Sequence, residues 1–115
     1  MSVHVIIPGH PVPKERPRVV NGRAHTPKRT RAYEAMAAML CRSKVREPLS
    51  GDVHVRLLLV FGSHVHGDLD NCAKSVLDAA QGIAFGNDKS ISKLTVWREY
   101  DKSNPRAELW VEVAA

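Results

Sequence analysis

Rings are scarce in this chain: two each of Trp, Tyr and Phe, or 5% of its 115 residues. The core must therefore rest on Val, Leu, Ile, Ala and Met. Cysteine is scarcer, and Cys41 and Cys72 form no CxxC pair. That spacing excludes zinc-finger and dithiol redox motifs. Both fall on apolar stripes of expected helices, so they read as buried free thiols suited to a reducing compartment. No apolar run approaches the roughly 18 residues that a membrane-spanning helix needs. The apolar stretch over residues 1–8 lacks a basic lead and a signal-cleavage pattern. A cytoplasmic protein with no membrane partner is the expectation.

Acidic residues are nearly missing from one half. Residues 1–46 hold ten Lys/Arg and only two carboxylates, whereas residues 47–115 hold seven Lys/Arg and ten carboxylates, within a net charge of +5. Such asymmetry fits a polyanion-binding surface beside a site that needs carboxylates. A merely solvated basic face fits the composition equally well.

The chain alternates legibly. Val3, Val5 and Ile7 mark a first strand that ends at Pro8 and Gly9. The prolines at 11, 13 and 17 forbid a helix and favour extended chain. Extension places Lys14, Arg16 and Arg18, spaced by two, on one side. Asn21-Gly22 between short β-compatible runs signals a hairpin that carries Arg23. Thr26 reads as an N-cap with Pro27 at the first helical position. Tyr33, Met36, Ala37, Leu40 and Cys41 follow at helical spacing, predicting a helix over 27–43. Lys28, Arg29 and Arg31 crowd its first turns, where cations oppose the helix dipole at about a few tenths of a kcal/mol each. That placement disfavours stability and favours meeting phosphate. Residues 53–61 alternate and then turn apolar on both faces, as a central strand does. A second helix is expected over 68–81, with Leu69, Cys72, Ala73, Val76, Leu77 and Ala80 as its buried stripe and Gly82 as its stop. Strands over 94–100 and 106–113 complete the order β-β-β-α-β-α-β-β. This implies one domain, α+β or α/β, with a mixed sheet.

The informative segment begins at Gly67. Asp68 and Asp70 stand at the mouth of the second helix, where its N-terminus stabilises carboxylates. Helix capping alone accounts for both. Asp70, Lys74 and Asp78 are spaced i, i+4, i+8 on one face, which also suits a plain ion-pair ladder. Asp88, in a turn after Asn87, offers a third carboxylate. Converging carboxylates repel until a hard cation binds them, and Mg²⁺ takes such oxygens together with water and phosphate. A lysine one turn from Asp70 adds positive charge where a phosphoryl transition state gains negative charge. A rival motif overlaps: His64, His66 and Asp68 have the H-x-H-x-D spacing of binuclear zinc hydrolases. Leu69 stands where that motif continues with histidine, and such folds need far more than 115 residues.

Three blocks together resemble the RusA-type Holliday junction resolvases. Pro11, Pro13, Lys14, Arg16, Pro17 and Arg18 are similar to a P-x-P-K-x-R-P-R segment. Thr26-Pro27 leading to Tyr33 is similar to the family's first helix. Asp68-Leu69-Asp70-Asn71, Lys74, Asp78-Ala79, Gly82 and Asn87-Asp88 are similar to a D-L-D-N-x-x-K-x-x-x-D-A-L-x-G-x-x-x-x-D-D block. The resemblance implies a single α+β domain over residues 1–115, with a mixed sheet packed by two main helices. It implies a Mg²⁺-dependent homodimer, with Mn²⁺ as a substitute, that nicks opposed strands of a four-way DNA junction in a bacterial or phage-infected cell. It places metal binding on Asp68, Asp70 and Asp88, and a catalytic role on Lys74. Asn87 stands where the family often has aspartate, so the ligand is placed on Asp88. Lys14, Arg16, Arg18, Arg23, Lys28, Arg29 and Arg31 become the candidate DNA contacts. A non-catalytic basic DNA-binding protein is the alternative.

Overall fold

The computed structural model describes residues 2–15, 18–25 and 27–114. Strand β1 is Ser2–Pro8, β2 is Arg18–Val20 and β3 is Arg23–His25. Helix α1 is Lys28–Lys44, β4 is Val53–Phe61 and α2 is Leu69–Ala80. A 3₁₀ turn at Asp88–Ser90 leads into β5, Ile91–Tyr100, and β6 is Arg106–Val113. The element order is the expected one, and the domain is α+β.

Four strands form one mixed sheet in the order β1-β6-β4-β5. The last strand in sequence inserts between the first and the fourth, antiparallel to both. Strands β4 and β5 run parallel, as the intervening α2 crossover requires. Strand β4 is central, and its apolar run Leu57–Phe61 is buried on both faces. Helix α1 lies over β1, α2 lies over β4 and β5, and the two helices pack on each other. Strands β2 and β3 form a separate hairpin. Its turn places Asn21 and Gly22 at φ of 52° and 78°, which is why this dipeptide belongs there.

The core corrects one expectation from composition. Phe61 and Phe85 are its largest fully buried side chains, while Met39 is exposed. Both phenylalanines and Tyr33 are buried, while Trp97, Trp110 and Tyr100 stay partly exposed. Phe85 stands outside the regular strands and is held by isolated bridges to Leu49 and Gln81. Both thiols are buried and unpaired. Burial pushes each up to about 11, partly opposed by Arg42 at Cys41 and by Arg29 at Cys72.

Helix boundaries shifted slightly, for local reasons. Pro27 is the cap of α1 rather than its first residue, with ψ at 145° and its carbonyl accepting the Arg31 N–H at 3.1 Å. Thr26, the expected cap, lies outside the described residues. Helix α2 ends at Ala80, and Gly82 takes φ of 78° just beyond it. Strand β5 starts three residues earlier than its alternation suggests, because Ile91 pairs with Val53.

Candidate active site

The proline-rich segment is clamped between the two helices. The Ser75 hydroxyl donates to the Val12 carbonyl at 2.6 Å, and the Thr30 hydroxyl donates to the Pro13 carbonyl at 3.1 Å. Thr30 and Ser75 are the buried polar side chains among the described residues. A buried hydroxyl is retained when it is bonded, and these two fasten an extended segment that has no sheet partner. The Lys14 N–H adds a bond to the Asn71 carbonyl at 2.9 Å, on the first turn of α2. Gly67 completes the clamp. A Cβ there would lie 2.7 and 2.9 Å from ring carbons of Pro13. We expect Gly67→Ala to cost about 1–3 kcal/mol through overpacking, read as a lowered melting temperature. A melting temperature equal to that of the parent would show the contact to be slack.

Lys14 departs from the expectation of a free phosphate contact. Its ammonium sits between Glu34 of α1 and Asp78 of α2, the latter at 3.2 Å. Burial alone would lower its affinity for a proton. Bonds to the two carboxylates more than reverse that and raise its pKa above the ordinary lysine value. The Lys14 ammonium therefore keeps its charge through neutral pH, and what that charge contributes to stability is lost only as pH rises into strong base.

A groove of about 550 Å³ opens between α2 and the edge strand β5. Asp70, Lys74 and Asp78 line it from the helix, and Asp88 lines it from the 3₁₀ turn. Leu69 and Leu77, expected in the buried stripe, are half-buried and form part of its floor together with Leu94 and Val96. The expected ladder is only half made. Lys74 pairs with Asp78 at 3.4 Å, and Asp70 takes no part. Asp78 is thus shared by two lysines, one structural and one facing the groove.

The other aspartates of the candidate site are not held in ion pairs among the described residues. Asp68 occupies the cap position of α2, yet its side chain makes no cap hydrogen bond. Asp70 accepts the Asn71 N–H at 2.9 Å and is otherwise exposed. Among the described residues, none of Asp68, Asp70 and Asp88 has an ion-pair partner. Capping therefore does not account for Asp68. Asn87 has a different job: its side-chain oxygen accepts the Lys89 N–H at 2.8 Å, capping the turn that presents Asp88.

Among the described residues, no three metal-ligating side chains stand close enough together to hold an ion. The donor set still fits magnesium. That ion commonly takes one or two carboxylates and fills its other positions with water and substrate phosphate. Asp70 and Asp88 supply two carboxylates to one groove, and Asp68 borders it in sequence.

The chain matches the family model of endodeoxyribonuclease RusA over residues 8–112. It belongs to the RusA family. No individual curated protein matches the chain. The RusA match takes in the clamped basic segment, both helices and the carboxylate groove.

The other candidate DNA contacts are less concentrated. Arg23, Lys28, Arg29 and Arg31 are exposed on β3 and the start of α1. Arg29 is drawn toward Glu15 at 3.7 Å, and no described carboxylate pairs with Arg23, Lys28 or Arg31. Arg16 lies outside the described residues, as does the side chain of Arg18. Sequence reasoning missed Lys93, which lines the groove from β5, and the anchoring hydroxyls of Thr30 and Ser75. A serine within an apolar helical stripe was the available signal for Ser75. His64 and His66 belong to a ring cluster at the far end of β5. Both nitrogens of His66 are engaged there, by the Gly67 carbonyl and the Tyr100 hydroxyl, which leaves it no lone pair for zinc.

Proposed function

We propose that this RusA-family chain is a magnesium-dependent endodeoxyribonuclease that resolves four-way DNA junctions by paired nicks, acting as a homodimer in the cytoplasm. The observation that carries this reading is the groove itself, which gathers Asp70, Lys74, Asp78 and Asp88 while, among the described residues, Asp70 and Asp88 have no cation partner. Those two carboxylates would hold Mg²⁺, or Mn²⁺ in its place, with Asp68 beside them. Bound there, the ion supplies Lewis acidity to phosphodiester hydrolysis.

The chain's own residues contribute the rest. Lys74 holds a positive charge over the groove, tethered by Asp78, where the attacked phosphate gains negative charge. The apolar floor of Leu69, Leu77, Leu94 and Val96 keeps a low-dielectric wall behind that charge, which strengthens it. Arg23, Lys28, Arg29 and Arg31 offer charge to neighbouring phosphates. Two such grooves related by a twofold axis would cut opposed strands symmetrically. In the non-catalytic alternative the aspartates serve as helix caps, and Asp68 makes no cap hydrogen bond.

The test is a synthetic four-way junction incubated with the protein in Mg²⁺ or in EDTA. Paired nicks that require Mg²⁺ support the reading. Tight junction binding with no metal-stimulated nicking leaves the non-catalytic alternative. Arg31→Ala is expected to weaken binding to all DNA sequences alike and to reduce the salt slope by about 1. An unchanged slope in a binding titration would count against a phosphate contact.

A further inference from the structure

The loop between β4 and α2 is built around stacked rings that the groove does not use. Buried Phe61 stacks on His66, with centroids 3.9 Å apart and planes 13° from parallel. The His66 Nδ1–H donates to the Gly67 carbonyl at 2.8 Å, since a carbonyl can only accept. Nε2 then accepts the Tyr100 hydroxyl proton at 2.9 Å. His64 closes on the Tyr100 ring at 4.1 Å, and the Arg98 guanidinium stands 5.9 Å from that ring's centre. The series runs from core to surface. Its inner end is fixed by Phe61, while at its outer end His64 and Arg98 are exposed and Tyr100 is 41% exposed. Val65, between the histidines, is 88% exposed.

This assembly sits at one end of the groove. Gly67 joins it directly to Asp68. Leu94 and Val96 face the groove from β5, and alternation puts Arg98 and Tyr100 on the same side of that strand. At about 3.3 Å per residue, Tyr100 lies roughly 13 Å beyond Val96, or about four base-pair steps along a duplex.

We propose that His64, Tyr100 and Arg98 form a stacking platform for an unpaired nucleobase of the branched DNA. Exposed rings held in fixed orientation beside a guanidinium suit the face of any base, because every base offers a π surface. A continuous duplex hides those faces within its own stack. A branch point interrupts that stack at the crossover, where drawing a base out costs least, so the platform reads structure rather than sequence. This rests on the nuclease reading of the groove and names what selects its substrate.

The experiment compares binding to a four-way junction and to a linear duplex of the same arm sequence, by fluorescence anisotropy in EDTA. The variants are His64→Ala combined with Tyr100→Leu, which keeps apolar bulk without a π face, and Tyr100→Phe, which keeps the ring. The double variant is expected to lose on the order of ten- to a hundredfold in junction affinity while duplex affinity stays within about twofold. Tyr100→Phe is expected to retain wild-type selectivity. Equal loss on both DNAs, or no loss on the junction, overturns the platform. Magnesium-dependent nicking by the wild-type protein is read separately. If nicking persists and selectivity does not move, the platform fails and the nuclease reading stands. If the wild-type protein does not nick and the double variant still loses junction binding, the platform stands and the nuclease reading fails.

Discussion

Asp70→Asn is expected to abolish junction cleavage, lowering the single-turnover rate on the order of 10³-fold or more, while junction binding is kept or tightened. Asp70 lines the groove, is exposed, and has no ion-pair partner among the described residues. Asparagine has the same shape and can still accept the Asn71 N–H, so the start of α2 is undisturbed. What it loses is a negative charge. That weakens the grip on a hard divalent cation, whose loss removes several kcal/mol of transition-state stabilisation. The same loss removes repulsion toward phosphate, so affinity holds or rises. Cleavage at the parental rate would refute a metal-binding role for Asp70. Lost binding together with lost cleavage would point to misfolding, and a melting curve on the same sample separates the two.

Lys74→Ala is expected to slow the chemical step by about 10²–10³-fold with junction affinity changed only a few-fold. The side chain is more than half exposed, and its structural tie is one 3.4 Å pair with Asp78, worth little to stability. Its loss is therefore felt when charge builds on the phosphate and scarcely before. Asp78→Asn makes an instructive comparison. It releases Lys74 and also removes a partner of partly buried Lys14. It should slow cleavage less than Lys74→Ala but lower the melting temperature more. Equal cleavage rates for Lys74→Ala and the parent at saturating protein would end the catalytic role of Lys74.

Much of this fold was legible because its signals are local. The two-faced apolar run at residues 57–61 marked the central strand, and the Leu69-to-Ala80 stripe marked α2. Strand order was not legible. Placing β6 between β1 and β4 depends on pairings such as Val5 with Leu109, more than a hundred residues apart. Phe85 shows the same limit within the core, since nothing local marks a turn residue as fully buried.

The site was readable to a similar depth. Spacing put Asp70, Lys74 and Asp78 on one helix face, and the groove confirms that they share a wall. It did not foretell that Lys74 would choose Asp78 over Asp70, because both stand one turn away and spacing alone does not separate them. Extended spacing likewise aligned Lys14 with Arg16 and Arg18 but could not show that Glu34 and Asp78 would close on it. The bond between His66 and Tyr100 spans 34 residues and leaves no trace in any motif.

The most direct test is anomalous diffraction from crystals of the wild-type protein soaked in Mn²⁺. A manganese peak is expected in the groove between α2 and β5, about 2.0–2.2 Å from carboxylate oxygens of Asp70 and Asp88. A groove without a peak at saturating Mn²⁺, or a peak held only by other residues, would contradict the assignment of these aspartates as metal ligands.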